Sequence, residues 1–243
     1  MKKISQSEQV KETMKQNGGF ATLGFLYNTV DVSNWETKTP FASIRRILQV
    51  SDAFFKIKPG LWGLAEKKNE IVEKFGIAEK KSEKAQVFNH SYYQGLIVEI
   101  GNLKGFSTFV PNQDKNRKYL NQSLKEITSL ENIYQFTYTE IVNRAKTVDI
   151  IWFNSRKMPL AFFEVEYTTD IYNSLIKFAE LQDFNSKFNI VSALAKKREF
   201  EAKLKSKVFE EIKDRIKFIS YEHIAELHTN LYKYHSLQKE VSI

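Results

Sequence analysis

The segment AFFEVEYT, residues 161–168, constrains the fold of this chain more than any other. A β-strand sends alternate side chains to opposite faces, so Glu164 and Glu166 share one face with Thr168. The apolar residues before Glu164, and the run IIWF in the preceding segment, indicate an interior strand. Two carboxylates in such a place lose hydration and repel each other, at a cost of about several kcal/mol per unpaired ion. The strand therefore needs a compensating partner, and a divalent cation is the simplest one.

The composition narrows the identity of that cation. The chain has no cysteine, so a metal must bind to oxygen or imidazole, and its four histidines form no HExxH helix. Hard oxygen ligands favour Mg²⁺, with Mn²⁺ as the alternative. Neither a GxGxxG pattern nor a Walker loop occurs, which excludes the common nucleotide-binding folds.

A third carboxylate precedes the first two on a neighbouring strand. Asp149 begins the run DIIWFN, and a short turn of Ser155, Arg156 and Lys157 separates this run from MPLAFFEVEY. Two apolar runs with such a turn predict a β-hairpin. Antiparallel pairing is then expected to bring Asp149 opposite Glu164. The alternative is that both glutamates face solvent from an edge strand and form weak surface ion pairs.

Helices and strands alternate from residue 89 onwards. The pattern predicts helices near 89–105, at YLNQSLKEI (119–127), from a cap of Thr168, Thr169 and Asp170, near 196–213 and from Tyr221. Strands are predicted at STFVP, in the hairpin, at FNIVSAL and at IKFIS. Residues 89–243 are therefore expected to form an α/β domain with a mixed sheet.

The first 65 residues show a different pattern. A helix closed at Gly18, a short helix at 21–30 and a helix that starts at Pro40 precede a hairpin with a Pro59-Gly60 turn. Residues 66–88 alternate in charge and are predicted to be a partly helical linker. A chain of 243 residues is long enough for two domains.

Charge and hydropathy limit the partners and the location. The net charge of +8 and the pI near 9.3 favour a polyanion such as nucleic acid. No apolar run approaches the ~18 residues of a membrane span, and polar residues follow the basic start where a signal peptide would be apolar. We expect a cytoplasmic protein that does not enter the membrane.

Residues 3–65 resemble a winged helix-turn-helix domain, on the helix TPFASIRRIL and the hairpin FKIKPGLWGL. The resemblance implies that the third helix enters the major groove of DNA with Ser43, Arg45 or Arg46. It also places Lys56 and Lys58 on the wing. The alternatives are a solvated basic face and a module that binds another protein.

Residues 89–225 resemble the PD-(D/E)xK nuclease superfamily, which has a restriction-endonuclease-like fold. The resemblance lies in Asp149, followed on the next strand by the ExE of Glu164 and Glu166. It implies that Asp149 and Glu164 bind Mg²⁺, with Glu166 as a further ligand or as the residue that orients or deprotonates water. Most members have lysine where this chain has Glu166, although some restriction enzymes use glutamate there. Lys177 on the next helix is a candidate substitute.

Further site candidates lie on the first helix of this domain and in the loop after the first strand. His90 and Gln94 are spaced i and i+4 and so share a helix face, where relatives often place polar residues near metal or DNA. The other candidates are Glu99 as a neighbour of the metal ligands, and Asp114, Lys115 and Lys118 near phosphates. The alternative is a structural histidine and a solvated loop.

Together these features predict a Mg²⁺-dependent DNA endonuclease, most specifically a type II restriction enzyme. Double-stranded cleavage favours a homodimer on a palindromic site, and restriction implies a DNA methyltransferase acting on the same sequence. Two alternatives stay open. One is a non-catalytic DNA-binding regulator with a degenerate nuclease fold, and the other is a repair or mobile-element nuclease.

Overall fold

The computed structural model describes residues 4–78, 82–167 and 170–241. The chain forms two compact units, one made of Met1–Lys80 and Ala225–Ile243 and the other of Lys81–Ile224. The predicted segments 1–65, 66–88 and 89–243 differ from these units. Thr168, predicted to share the face of Glu164, and Thr169, predicted to cap a helix with it, lie outside the described residues.

The first unit combines helices with a small antiparallel sheet of strand order β1-β3-β2. Its elements are α1 (Gln6–Gln16), β1 (Phe20–Thr22), α2 (Leu23–Thr29), α3 (Pro40–Val50), β2 (Phe54–Lys58), β3 (Leu61–Leu64) and α4 (Lys68–Phe75). Apolar side chains of α1, α2, α3, β2 and β3 form its core. Its assignment to the winged helix-turn-helix class stays a prediction.

One expectation for this unit needs correction. The predicted helix at 21–30 starts only at Leu23, because residues 20–22 pair with β3 and the Thr22 hydroxyl accepts a hydrogen bond from Phe25 N at 3.1 Å. The segment 66–88, predicted to be a partly helical linker, contains the helix α4, whose Ile71 and Phe75 are buried.

The second unit is built on a five-stranded mixed sheet of order β10-β9-β8-β7-β4. Strands β8, β9 and β10 are parallel, and β7 and β4 complete the sheet in antiparallel pairs. Its elements up to the hairpin are α5 (Glu83–Leu103), β4 (Ser107–Phe109), β5 (Lys118–Tyr119), β6 (Gln122–Ser123), α6 (Leu124–Ile127), α7 (Thr139–Ala145), β7 (Ile150–Phe153) and β8 (Pro159–Glu166). The later ones are α8 (Ile171–Ala179), β9 (Lys187–Ser192), α9 (Lys197–Leu204), β10 (Ile216–Ser220) and α10 (Tyr221–Val241), which continues into the first unit. The structure thus confirms an α/β fold with a mixed sheet flanked by helices.

Two predicted helices of this unit are shorter than expected. Residues 118–123 form the small hairpin of β5 and β6, so the helix predicted at 119–127 is confined to α6. The helix predicted near 196–213 ends at Leu204, and short 3₁₀ turns at 207–209 and 213–215 follow it. Strand pairing delays the start of the first helix, and 3₁₀ turns replace the second helix after Leu204.

Helices cover the two faces of the sheet differently. Helix α5 contacts β4 and β7 closely, and Trp152 Nε1 donates a hydrogen bond to Ile97 O at 3.2 Å. The large apolar core on the other face includes Ile151, Phe162 and Phe188 together with α8 residues such as Phe178. No helix in the described part of the chain has the length and apolar content needed to cross a membrane.

The close packing of α5 predicts a strong effect of one substitution. A Cβ atom at Gly101 would lie 2.6 Å from Thr108 Cγ2 and 2.6 Å from Trp152 Nε1. We expect Gly101→Ala to lower the free energy of unfolding by about 1–2 kcal/mol, since overpacking outweighs the gain in helix propensity. Urea denaturation measures this change. Val87→Ala, at an exposed position on the same helix, is the control, and equal stability of both variants would contradict the prediction.

Candidate active site

The register of β7 and β8 places two carboxylates side by side. Ile150 pairs with Phe163, so Asp149 and Glu164 are the next pair along the ladder. Val165 N donates a hydrogen bond to Asp149 Oδ2 at 2.7 Å, which holds that carboxylate against β8. Asp149 is 9% exposed. The expected position of Asp149 opposite Glu164 is therefore confirmed.

Glu164 and Glu166 lie on the same face of β8, and each is only 3% exposed. The Ser174 hydroxyl on α8 lies 3.1 Å from Glu164 Oε2 and also contacts Glu166 Oε1. Because β8 is the central strand of the sheet, the alternative of two exposed glutamates on an edge strand is wrong.

Lys177 on α8 contacts the Glu164 carboxylate directly. Its Nζ lies 2.9 Å from both Glu164 oxygens and 3.0 Å from Thr147 O. Burial raises the pKa of Glu164 well above its ordinary value, and the charge of Asp149 adds to this effect. The ammonium group of Lys177 opposes this rise in the pKa. The negative charge of Glu164 is therefore unfavourable in this buried position, and Lys177 compensates it only in part.

A second cluster of polar side chains adjoins Asp149 on the side of α5. His90 Nε2 lies 3.5 Å from Asp149 Oδ1 and 4.0 Å from Asp114 Oδ2. Gln94 Nε2 donates a hydrogen bond to Asp114 Oδ2 at 2.8 Å. The structure therefore brings together His90, Gln94 and Asp114, although the sequence suggested only a shared helix face and a loop.

The charges in this cluster set the protonation preferences of His90 and Asp149. Burial lowers the pKa of His90, but the negative charges of Asp149 and Asp114 outweigh it, so the pKa is raised overall. Burial would raise the pKa of Asp149, but His90, the Val165 amide and Lys177 hold it below its ordinary value.

The carboxylates open into a cleft of about 370 Å³. Its walls include His90, Asp149, Glu164, Glu166 and Lys177, and the others are Gln86, Val87, Arg117, Val165, Tyr167, Asp170, Asn173 and Ser174. The cleft is therefore lined by both signs of charge, which suits a polyanionic substrate held beside a cation.

The donor atoms at the site fit a divalent cation. Among the described residues, four buried side-chain nitrogen or oxygen atoms have no hydrogen-bond partner, and three of them lie here: His90 Nε2, Gln94 Oε1 and Asp114 Oδ1. Asp114 Oδ1 does contact Arg117 Nε at 3.1 Å. His90, Asp114 and Asp149 each offer a ligand atom, and these atoms lie within 4.8 Å of one another. The predicted set of Asp149, Glu164 and Glu166 stays a prediction.

Other predicted site residues have different surroundings. Glu99 accepts a hydrogen bond from Tyr119 OH at 2.8 Å. Lys115 Nζ donates to Glu131 O, and Lys118 is exposed on β5. None of the three is among the residues that line the cleft in the described part of the chain.

The predicted DNA-contact residues of the first unit are accessible to different degrees. Arg45 and Arg46 on α3 and Lys56 on β2 are exposed, and Ser43 and Lys58 are partly buried. The Ser43 hydroxyl donates to Thr39 O at 3.4 Å within its own helix. Their role in DNA binding stays a prediction.

Sequence reasoning missed several residues of the cleft, and two of them contact its acidic groups. Ser174 connects the two glutamates, and Arg117 contacts the buried Asp114 and faces the cleft. The spacing of Ser174 and Lys177, three residues apart on a helix, is a signal that could have placed both on one face. No comparable signal marks Arg117, because its loop has no regular period.

The fold and the site together define an α/β protein with a buried acidic cluster and a lysine at one cleft. A sequence profile described as the type II restriction enzyme NmeDI C-terminal domain matches residues 72–242. This match covers more than half of the chain, so the chain belongs to that family. Membership in the family supports the assignment of the chain as a restriction endonuclease, that is, a nuclease that acts on DNA. Searches of curated proteins and of solved structures find no match.

The raised pKa of Glu164 predicts a stability cost that depends on pH. Its unfolded pKa is near 4.5, and its folded pKa is higher, so the folded protein loses stability as the pH rises above that value. We expect Glu164→Gln to remove this loss. In metal-free buffer between pH 5 and pH 8, the variant should gain about 1.4 kcal/mol over the unmodified protein for each pH unit between the unfolded and the folded pKa.

Chemical denaturation at several pH values measures the difference. Glu201→Gln is the matched control, because Glu201 is exposed on α9. A difference between Glu164→Gln and the unmodified protein that shrinks as the pH rises would contradict the burial of this charge.

Proposed function

We propose that the protein is a Mg²⁺-dependent endonuclease of the PD-(D/E)xK type that cleaves double-stranded DNA as a type II restriction enzyme. One observation carries the proposal: Asp149 and Glu164 lie side by side on neighbouring strands, with Lys177 on Glu164, at an open cleft. The membership in a restriction enzyme family agrees with this site.

Asp149 and Glu164 are the residues that would hold the cation, and Glu166 is the further ligand or water-orienting group. A bound Mg²⁺ supplies Lewis-acid stabilisation of the phosphate and lowers the pKa of a coordinated water. Mn²⁺ is expected to substitute, because it accepts the same oxygen ligands. The buried carboxylates then exchange an unfavourable mutual repulsion for a favourable attraction to the cation.

Lys177 supplies the positive charge that a lysine at position 166 supplies in most of the superfamily. Its Nζ already lies at the edge of the cleft, 2.9 Å from Glu164, and the side chain is 23% exposed. From there it stabilises negative charge that accumulates on a phosphate during attack. Glu166 contacts the Ser174 hydroxyl, and we assign to it the acceptance of a proton from the attacking water.

DNA selection falls to residues outside the acidic cluster. We assign Ser43, Arg45 and Arg46 to the major groove and Lys56 and Lys58 to the phosphates. A homodimer on a palindromic sequence would cut both strands, and a methyltransferase acting on that sequence would protect the host DNA.

Cleavage of plasmid DNA tests the proposal. We expect the unmodified protein with Mg²⁺ to cut, and Asp149→Ala and Glu164→Ala to lose about 10²-fold or more in rate, because each removes a group that holds the cation. Lys177→Met should lower the rate without loss of DNA affinity. Glu201→Ala is the control with an exposed carboxylate.

The outcomes separate the alternatives. DNA binding with no cleavage by the unmodified protein, across varied genomic DNA and with Mg²⁺ or Mn²⁺, would favour the non-catalytic regulator. Cleavage restricted to branched, nicked or modified DNA would favour the repair or mobile-element nuclease. A fixed cleavage pattern on unmodified DNA that base methylation blocks supports restriction.

The basic residues of the first unit predict a change in salt dependence. We expect Arg46→Ala and Lys56→Ala to weaken DNA binding, and to reduce the slope of log Kd against log salt by about 1 for each phosphate that the variant no longer neutralises. Fluorescence anisotropy at roughly 50 to 200 mM salt measures the slope. Arg156→Ala, on the exposed turn between β7 and β8, is the charge-matched control, and identical slopes for all variants would exclude a role of these residues at the phosphates.

A further inference from the structure

A second candidate metal centre lies at the wall of the cleft that α5 contributes. It consists of His90 on α5, Asp114 in the loop after β4 and Asp149 immediately before β7. The two carboxylates are 2% and 9% exposed, and the His90 side chain is 21% exposed and lines the cleft. Three separate segments of the chain thus deliver one imidazole and two carboxylates to one place.

The spacing of the donor atoms suits a single cation. Ligand atoms that bind at about 2.0–2.2 Å are about 3 Å apart when adjacent and up to about 4.4 Å apart when opposite. His90 Nε2 is 3.5 Å from Asp149 Oδ1 and 4.0 Å from Asp114 Oδ2, so both distances fall in this range.

A separate observation points to a ligand at this place. Gln94 is fully buried, and its amide nitrogen donates to Asp114 Oδ2 at 2.8 Å, so the side chain is directed at the cluster. Its Oε1 nevertheless has no hydrogen-bond partner, and neither has His90 Nε2. Buried polar atoms without partners are rare in folded proteins, and a cation held by His90, Asp114 and Asp149 would satisfy His90 Nε2.

The neighbours of the cluster hold its carboxylates in place. Val165 N binds Asp149 Oδ2, which leaves Oδ1 nearer to His90. Arg117 Nε lies 3.1 Å from Asp114 Oδ1, whereas His90 faces the other oxygen of that carboxylate. Hydrogen bonds of this kind orient metal ligands and raise affinity.

We propose that His90, Asp114 and Asp149 form a second divalent-cation site that prefers Mn²⁺ or Co²⁺ to Mg²⁺. The imidazole nitrogen is the reason for the preference, since it binds transition metals well and Mg²⁺ poorly. Asp149 is common to this site and to the Mg²⁺ site proposed above. Glu164 is engaged by Lys177 and contributes no ligand here. The proposal concerns metal binding and holds whether or not the protein cleaves DNA.

Co²⁺ titration of the metal-free, untagged full chain tests the site. We expect a visible absorption band of bound Co²⁺ and a calorimetric Kd that His90→Gln and Asp114→Asn weaken by about tenfold or more. His90→Gln should lower the Mg²⁺ affinity much less than the Co²⁺ affinity, because the Mg²⁺ site uses no imidazole as a ligand. His223→Gln, at an exposed histidine of α10, is the matched control and should bind Co²⁺ as the unmodified protein does.

Rescue of Co²⁺ binding by added imidazole distinguishes the loss of a metal ligand from the loss of folding. His90 lines the cleft, so added imidazole can reach the space that His90→Ala leaves, and it should restore the Co²⁺ band of that variant. Circular dichroism and the thermal midpoint of each variant show whether it is folded.

The second metal site and the nuclease activity can fail independently, because metal affinity tests the first and DNA cleavage tests the second. Co²⁺ affinity unchanged in His90→Gln, or an equal loss of Co²⁺ and Mg²⁺ affinity, would overturn the second site. Glu164→Gln is expected to abolish cleavage and to retain Co²⁺ binding. A protein that binds Co²⁺ through His90 but cuts no DNA would refute the nuclease and leave the second site standing.

Discussion

The pairing of β7 with β8 is the constraint on which the site depends. Ile150 pairs with Phe163, and Asp149 and Glu164 are the next pair in this register. The hydrogen bond from Val165 N to Asp149 Oδ2 holds the Asp149 carboxylate against β8. A slip by one residue would turn every side chain of β8 to the other face, so that Phe163 and Val165 would face α8 in place of Glu164 and Glu166. The apolar residues of both strands fix the register through the core, so the same packing that stabilises the sheet positions the carboxylates.

The electrostatics of the site argue against a purely structural role. Glu164 is 3% exposed beside Asp149, and one lysine and one serine compensate it only in part. Buried carboxylates that are imperfectly compensated cluster at functional sites, since a polar group without a task is readily replaced by an apolar one. Membership in a restriction enzyme family agrees with a functional role for these buried carboxylates.

The sequence predicted the parts of the fold that follow from regular spacing. The hairpin, the shared face of Glu164 and Glu166, and the neighbouring Asp149 all derive from the two-residue period of strands. The small β5–β6 hairpin and the burial of Ile71 and Phe75 in α4 were not predicted, because short turns and tertiary packing override local helix and charge patterns there. The convergence of Asp114 with His90 could not be predicted, since it depends on a loop that follows β4, approaches α5 and has no period of its own.

Glu166 stands where the PD-(D/E)xK superfamily, to which we propose to assign the chain, mostly has lysine, and α8 offers a positive charge nearby. Lys177 reaches the Glu164 carboxylate because α8 packs over the end of β8 and directs Ser174 and Lys177 to the glutamates. Moving the positive charge to α8 frees position 166 for a third carboxylate, whose oxygen the Ser174 hydroxyl contacts. The site therefore keeps both the lysine ammonium group and the acidic groups that the proposed phosphodiester hydrolysis requires, with one residue contributed by a different element.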